Sequence, residues 1–281
     1  MSAHQRSLLI GDHIETQGNV DCLQATAAMF DWDFAESATT PRRPIIALEN
    51  TSGAESLFQF RPPDGPCAVV VGNERKGISR HWLRRADRVV QIPAASWQIN
   101  TLNVAAAAAV ALYCLSRHRG RIAMRDDRHS RPAVLLAGAT NAIELGSAVR
   151  SAASLGWDQI FVSRDDRAWF AEDRVTRSLG RGAARRGRNP IHVVPLPDDA
   201  AFDEVCLVSV HGGALPLQRA DLASGPRQLI VIAEDPDAYA HLGRRVTRAH
   251  LEAGPGPYRA VASIALAEIA RQVGSWPRRP A

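Results

Sequence analysis

The 281-residue chain reads as an α/β protein, and three observations predict that class. Short continuous apolar runs, of the kind that fill parallel strands, alternate with segments of helical character, as in Cys67-Ala68-Val69-Val70-Val71. Hydrophobic residues make up 46% and charged residues 22%, enough for an ordinary globular core and wrong for a disordered or collagen-like chain. The pattern also restarts after about 130 residues, which indicates a duplicated domain rather than a solenoid, whose periods are about 20–50.

Taken in order, Ser7–Ile10 reads as the first strand, followed by a loop with Gly18-Asn19 and a helix through Leu23–Phe30. A connection from Thr39 to Pro44 leads to a buried strand, Ile45–Leu48. Ser56–Phe60 is short and either helical or extended, ahead of a turn at Arg61-Pro62-Pro63-Asp64-Gly65. The strand Cys67–Val71 stops abruptly at Gly72, and a short helix, a strand at Arg88–Ile92 and the alanine-rich helix Val104–Ser116 complete the first half.

Residues 119–132 change to a charged, arginine-rich composition and read as a linker between domains at 1–118 and 133–281. Beyond it come a strand at Ala133–Leu136, a helix at Ala142–Leu155 and a strand at Gln159–Val162. After an Arg/Gly-rich segment follow strands near His192–Val194, Cys206–Val210 and Gln228–Ala233, then a helix from Arg259 to Val273. The halves superpose in sequence: Leu8–Phe30 on Val134–Gly156, Pro66–Gly72 on Pro226–Ala233, and Asn103–Leu115 on Arg259–Ile269. Such tandem copies are expected to pack as an intramolecular pseudo-dimer.

The longest apolar run, Val104 to Leu112, is half of what a bilayer requires. The N-terminus leads straight into a strand with no signal-peptide core and no preceding RNA-binding domain, so the expected compartment is the cytosol. Cys22, Cys67, Cys114 and Cys206 are scattered in apolar stretches and read as buried free thiols. The nine histidines form no H-x-x-x-H pair, and no metal is expected. The 34 basic residues outnumber 29 acidic ones, for a net +5, and Lys76 is the only lysine. Arginine-rich composition accounts for the bias in general, while guanidinium groups suit phosphate-bearing partners, RNA or DNA.

Four segments carry a resemblance. They are Val69-Val70-Val71-Gly72-Asn73-Glu74-Arg75-Lys76-Gly77-Ile78-Ser79, Ala86-Asp87, Gln91-Ile92-Pro93 and Thr101-Leu102-Asn103-Val104. In this order and separation they resemble the SpoU (TrmH-like) branch of the SPOUT RNA methyltransferases. That family's later motifs are a strand ending in G-N-E-x-x-G, an isoleucine-proline strand end and S-L-N-V opening a helix. A Walker-A reading fails, because Lys76 precedes Gly77 and no G-K-[ST] follows.

The resemblance implies an α/β fold with a C-terminal trefoil knot, here two such domains, and S-adenosylmethionine as cofactor. It implies a cofactor site at Gly72, Gly77, Ile92 and Leu102, with Glu74, Thr101 and Asn103 on the catalytic edge. Thr101 stands for the family's serine, a hydroxyl for a hydroxyl. The family's first motif, N-x-G-x-x-x-R, is divided between the halves. Asn19 is kept while Asp21 and Ala25 replace the glycine and arginine; Gly146 and Arg150 are kept while Glu144 replaces the asparagine.

The second half also carries Arg177-Ser178-Leu179-Gly180-Arg181-Gly182-Ala183, similar to the family's R-x-S-x-G-A segment near substrate. With Arg185 and Arg186 it would contact RNA phosphates. Its cofactor motifs are replaced, by Ala233-Glu234-Asp235-Pro236 and Pro257-Tyr258-Arg259-Ala260-Val261.

The expectation is therefore a 2′-O-ribose methyltransferase of tRNA or rRNA, monomeric, with one composite site joining Arg150 to the N-terminal cofactor motifs. Two alternatives stand beside it: a non-catalytic RNA-binding descendant of such an enzyme, and a methyltransferase acting on a base.

Overall fold

The computed structural model describes residues 6–36, 41–95, 99–118, 121–123, 131–164, 166, 191–210, 215–223, 225 and 227–274. The chain divides into two compact units, neither a single stretch of sequence. Unit 1 comprises Met1–Pro93, Asn103–His118 and Gly254–Pro257; unit 2 comprises Ala94–Leu102, Arg119–Ala253 and Tyr258–Ala281.

In unit 1 the elements run β1 (Leu8–Gly11), α1 (Gln17–Met29), β2 (Asp33–Glu36), β3 (Ile45–Leu48), β4 (Glu55–Ser56), β5 (Ala68–Val71), α2 (Arg80–Leu83), β6 (Arg88–Gln91) and α3 (Val104–Ser116). The six strands among its described residues are ordered β2-β1-β5-β3-β6-β4. All pairings are parallel. β5, reading Ala-Val-Val-Val, is buried throughout, as a central strand of a parallel sheet must be. Ile10, Ala47, Val70 and Trp82 meet in one apolar cluster that fastens α2 to the sheet. α1 packs on α3, whose small alanine side chains are buried nearly all round.

Unit 2 runs β7 (Ala133–Ala137), α4 (Ala142–Ser154), β8 (Gln159–Val162), β9 (His192–Pro195), β10 (Phe202–Ser209), β11 (Leu215–Pro216), β12 (Gln228–Ala233), β13 (Gly243–His250) and α5 (Tyr258–Val273). A 3-10 segment, Pro236–Leu242, lies between β12 and β13. The seven strands among its described residues are ordered β11-β13-β10-β12-β7-β8-β9, again all parallel. With β7 set against β1, this is the strand order of unit 1 with β9 added at one edge. Helix pairing repeats as well, since α4 packs on α5 as α1 packs on α3.

The apolar runs became strands where expected, and α3 spans the expected Val104–Ser116. Three differences have physical reasons. α1 starts at Gln17 rather than near Leu23, so Gly18 and Asn19 lie in its first turn, where the Asn19 amide donates to the Thr16 carbonyl at 3.0 Å. β13, Gly-Arg-Arg-Val-Thr-Arg-Ala-His, lacks an apolar run because much of its length is partly or fully exposed. β2, Asp-Phe-Ala-Glu, is likewise polar at both ends because it is the edge of its sheet.

The four cysteine side chains are all buried. Within the segment read as a linker, the Ile122 amide donates to the Gln218 carbonyl at 3.0 Å, and the Ile122 carbonyl accepts from Arg271 at 2.8 Å. Among the described residues no helix is long and apolar enough to cross a membrane, and no cluster of metal-ligating side chains occurs.

Candidate functional site

After β5 the chain of unit 1 doubles back on itself. Asn73 and Gly77 form an isolated antiparallel bridge, exchanging N–H to O bonds of 3.1 and 2.9 Å. Asn73 is buried, and its Oδ1 accepts from the amides of Arg75 (2.9 Å) and Lys76 (3.0 Å), while its Nδ2 donates to the His13 carbonyl at 2.7 Å. Its side chain therefore holds the turn closed. Gly77 adopts φ +70°, and a side chain there would run into the Glu49 carboxylate. A Cβ at Gly72 would lie 2.3 Å from the Gly77 backbone, so this glycine is required by the close approach of the loop to itself.

Two carboxylates secure the loop from the sheet side. Glu49, just past β3, accepts from the Ile78 amide at 2.7 Å, and Asp12, just past β1, accepts from the Ser79 amide at 2.6 Å. Neither was singled out from sequence; an acidic residue directly following each of two buried strands was the available signal.

Glu74 stands exposed at the tip. Its carboxylate accepts from Asn19 Nδ2 and from the Glu15 amide, the latter at 3.4 Å. Asn19 Oδ1 in turn accepts from Asn103 Nδ2 at 3.2 Å, and Asn103 Oδ1 caps α3 by accepting from the Ala105 amide at 3.0 Å. The sequence marked Glu74 and Asn103; the structure adds Asn19 as the amide joining them. Ile92 follows β6 and is half-buried.

In unit 2, Arg150 on α4 reaches Thr101. Its Nε donates to the Thr101 carbonyl at 3.0 Å and its Nη2 to Thr101 Oγ1 at 2.8 Å. These residues, 49 positions apart, were both marked from sequence. Thr101 precedes Leu102, which is half-buried, and the chain then enters unit 1 at Asn103.

The corresponding positions of unit 2 are built differently. Glu144, third residue of α4 as Asn19 is of α1, is buried and accepts from the Arg259 amide (2.7 Å), its Nε (2.5 Å) and its Nη2. Tyr258, the first residue of α5, donates its hydroxyl to the Ile232 carbonyl at 3.0 Å near the end of β12. Burial pushes its phenol well above the ordinary range. Between β12 and the 3-10 segment lie only Glu234 and Asp235, where unit 1 has the eight-residue loop Gly72–Ser79. Arg177, Ser178, Arg181, Arg185 and Arg186 lie outside the described residues.

Residues 11–113 match the model of the SpoU rRNA Methylase family. That stretch contains the whole Gly72–Ser79 loop with Ile92, Thr101, Leu102 and Asn103, and ends before Arg150. An uncharacterized tRNA/rRNA methyltransferase of Archaeoglobus fulgidus is 44% identical over 54 residues, 19% of this chain and 24% of that protein. One from Mycobacterium bovis is 40% identical over 75 residues, 27% of this chain and 20% of that protein. The matches thus span a quarter or less of those relatives' length. Among solved structures, the SpoU methyltransferase AviRb from Streptomyces viridochromogenes, in complex with AdoMet, aligns at 17% identity and a TM-score of 0.36, covering 42% of this chain and 60% of that one.

Proposed function

We propose that the protein is an S-adenosylmethionine-dependent 2′-O-ribose methyltransferase of tRNA or rRNA, built by tandem duplication and using one set of reacting groups: Arg150, Thr101, Asn103 and Glu74. The observation that carries it is the two-point hydrogen bond from Arg150 to Thr101. It joins the arginine of one implied motif to the hydroxyl of another, although the two were marked separately in sequence. The shared strand order of the two units supports the duplication. The family match over residues 11–113 and the tRNA/rRNA methyltransferase relatives support the reaction class.

The residues of the first half fit the cofactor. Gly72 and Ile92 lie where strands β5 and β6 leave the carboxyl edge of a parallel sheet, the edge at which such sheets hold ligands. Gly72, Ile92 and Leu102 are half-buried and uncharged, which suits a nucleoside held by backbone groups and apolar contact. Gly77 keeps the loop in its reversed course. When bound, the cofactor supplies an electrophilic methyl group on a sulfonium. The second half does not fit, because the loop is missing and Tyr258 occupies the strand end.

An arginine guanidinium stays protonated at neutral pH and makes a poor base. Arg150 instead stabilises negative charge developing on the ribose oxygen and binds the adjacent phosphate. Thr101 fixes the direction of its planar fork, and orientation of this kind is a large source of rate. Glu74, held by Asn19, and Asn103, fixed by its own cap, position the substrate ribose.

The test is a filter assay of labelled methyl transfer to bulk tRNA and rRNA, followed by nuclease digestion and nucleoside analysis. Arg150→Ala is expected to lower transfer by about 10²–10³-fold with cofactor affinity near wild type, the scale of losing one oriented charge-stabilising group. Calorimetry should give one cofactor per chain. Label in a base, or two equivalent cofactor sites, would overturn this reading.

A further inference from the structure

We infer that the exposed basic surface of Arg75–Arg88, centred on α2, docks the phosphate backbone of the RNA strand that reaches Glu74; this rests on the RNA-methyltransferase reading. The segment carries Arg75, Lys76, Arg80, Arg84, Arg85 and Arg88 against the single carboxylate of Asp87. Its net +5 equals the net charge of the entire chain.

All six cations are exposed. Asp87 is the one counter-charge in the segment, and its carboxylate accepts from the Ile45 amide at 2.8 Å. Arg75 and Arg88 reach Glu15 and Glu55 only at 3.5 Å. Lys76, Arg80 and Arg84 make no ion pair among the described residues, and Arg85 lies against the His81 ring at 3.1 Å rather than against a carboxylate.

Cations at the end of a helix gain a few tenths of a kcal/mol from its dipole, but that effect fades within one turn and does not explain charge spread over fourteen residues. A concentration of like charge repels itself until a polyanion neutralises it. The surface is also held in place: Trp82 is 3% exposed and pins α2 into the core cluster beneath it. α2 begins directly after the loop bearing Glu74, so a strand lying on this surface is led to that loop. A lipid surface fits less well, since membrane-lying elements bury a large apolar face and no large hydrophobic residue of this segment is exposed.

The experiment measures binding of a labelled 20-nucleotide single-stranded RNA by fluorescence anisotropy between 50 and 200 mM KCl, using the full chain and the variant Arg80→Ala/Arg84→Ala/Arg85→Ala. Each lost phosphate contact removes about 0.7 from the slope of log affinity against log salt, so the triple variant should lose about 2 and bind at least about tenfold more weakly at 100 mM. Cofactor affinity by calorimetry should be unchanged. Equal affinity and slope in the two proteins would overturn the proposal. So would an RNA-neutral variant that instead loses binding to phosphatidylserine vesicles. A wild type that transfers no methyl group yet shows the patch-dependent slope would sink the enzyme reading and leave this one standing.

Discussion

At matching places in the two units, the third residue of the helix after the first strand touches the start of the last helix. Unit 1 uses Asn19 and Asn103 there; unit 2 uses Glu144 and Arg259. The two pairs close the same gap with different chemistry. In unit 2 both carboxylate oxygens are taken up by one arginine, in a pair about nine-tenths buried on each side. All three donors on Glu144 come from Arg259, in the interior. In unit 1 the amide of Asn19 accepts from Asn103 with its oxygen and still donates from its nitrogen to the exposed Glu74. An ion pair saturates itself, whereas an amide, being donor and acceptor at once, passes the interaction on. The first arrangement fastens two helices; the second arranges polar groups at a surface.

Breaking the buried pair on one side gives the largest expected effect. Arg259→Ala leaves Glu144 in the interior with its partner gone, and should cost about 3–5 kcal/mol in urea unfolding. Glu144→Asn/Arg259→Asn, which installs the unit 1 pair, should cost clearly less than the sum of its single changes, because the two residues are in direct contact. Additive costs would show that the pair is incidental to holding α4 on α5.

The reciprocal change in unit 1 should strike activity rather than stability. Asn19→Ala removes the group that holds Glu74, which the proposed function places at the substrate ribose, and a misplacement there costs about 10²-fold. Its thermal midpoint should move little, since Asn19 is half-buried and on a first helical turn. A drop in transfer that merely tracks unfolding would remove the distinction between the two pairs.

Much of this was legible in the residues, and unevenly so. The central strands announced themselves because burial on both faces demands unbroken apolar runs, as in β5 and β12. β2 and β13 did not, since strands with exposed faces carry polar residues that match no strand template. Glu74 and Asn103 stood in recognisable spacing, but Asn19 looked like a remnant of a broken motif and Glu144 like a lost asparagine. Their partners sit 84 residues from Asn19 and 115 from Glu144, a pairing only the folded chain reveals.

A third, smaller effect compares buried thiols across the units. Burial pushes the Cys206 thiol in β10 up to about 12, and raises that of Cys67, ahead of β5, against the lowering influence of Ser7 and Arg43. The unfolded thiol ionises near 8.5, so between that value and 12 the unfolded chain holds fewer protons and stability falls as pH rises. The stabilisation is complete below about pH 8.5, and Cys206 alone should forfeit about 2 kcal/mol by pH 10. Cys206→Ala should flatten that alkaline decline in urea midpoints; an unchanged slope would place the titrating groups elsewhere.

The smallest expected change in stability separates the two functions of Asn103. Its Oδ1 caps α3 through the Ala105 amide, and its Nδ2 donates to Asn19. Asn103→Asp keeps the capping oxygen and adds a charge favourable to a helix N-terminus, so unfolding free energy should shift by only a few tenths of a kcal/mol. It also replaces the donor by an acceptor: the bond to Asn19 Oδ1 is lost and two oxygens face each other. Methyl transfer should therefore fall while the fold is unmoved. Asn103→Ala loses the cap as well, at about 1 kcal/mol, and provides the control. If both variants transfer methyl groups at the wild-type rate, the amide chain of unit 1 is as purely structural as the ion pair of unit 2. If Asn103→Asp is inactive and fully folded, position 103 needs its N–H donor for chemistry, which no carboxylate can supply.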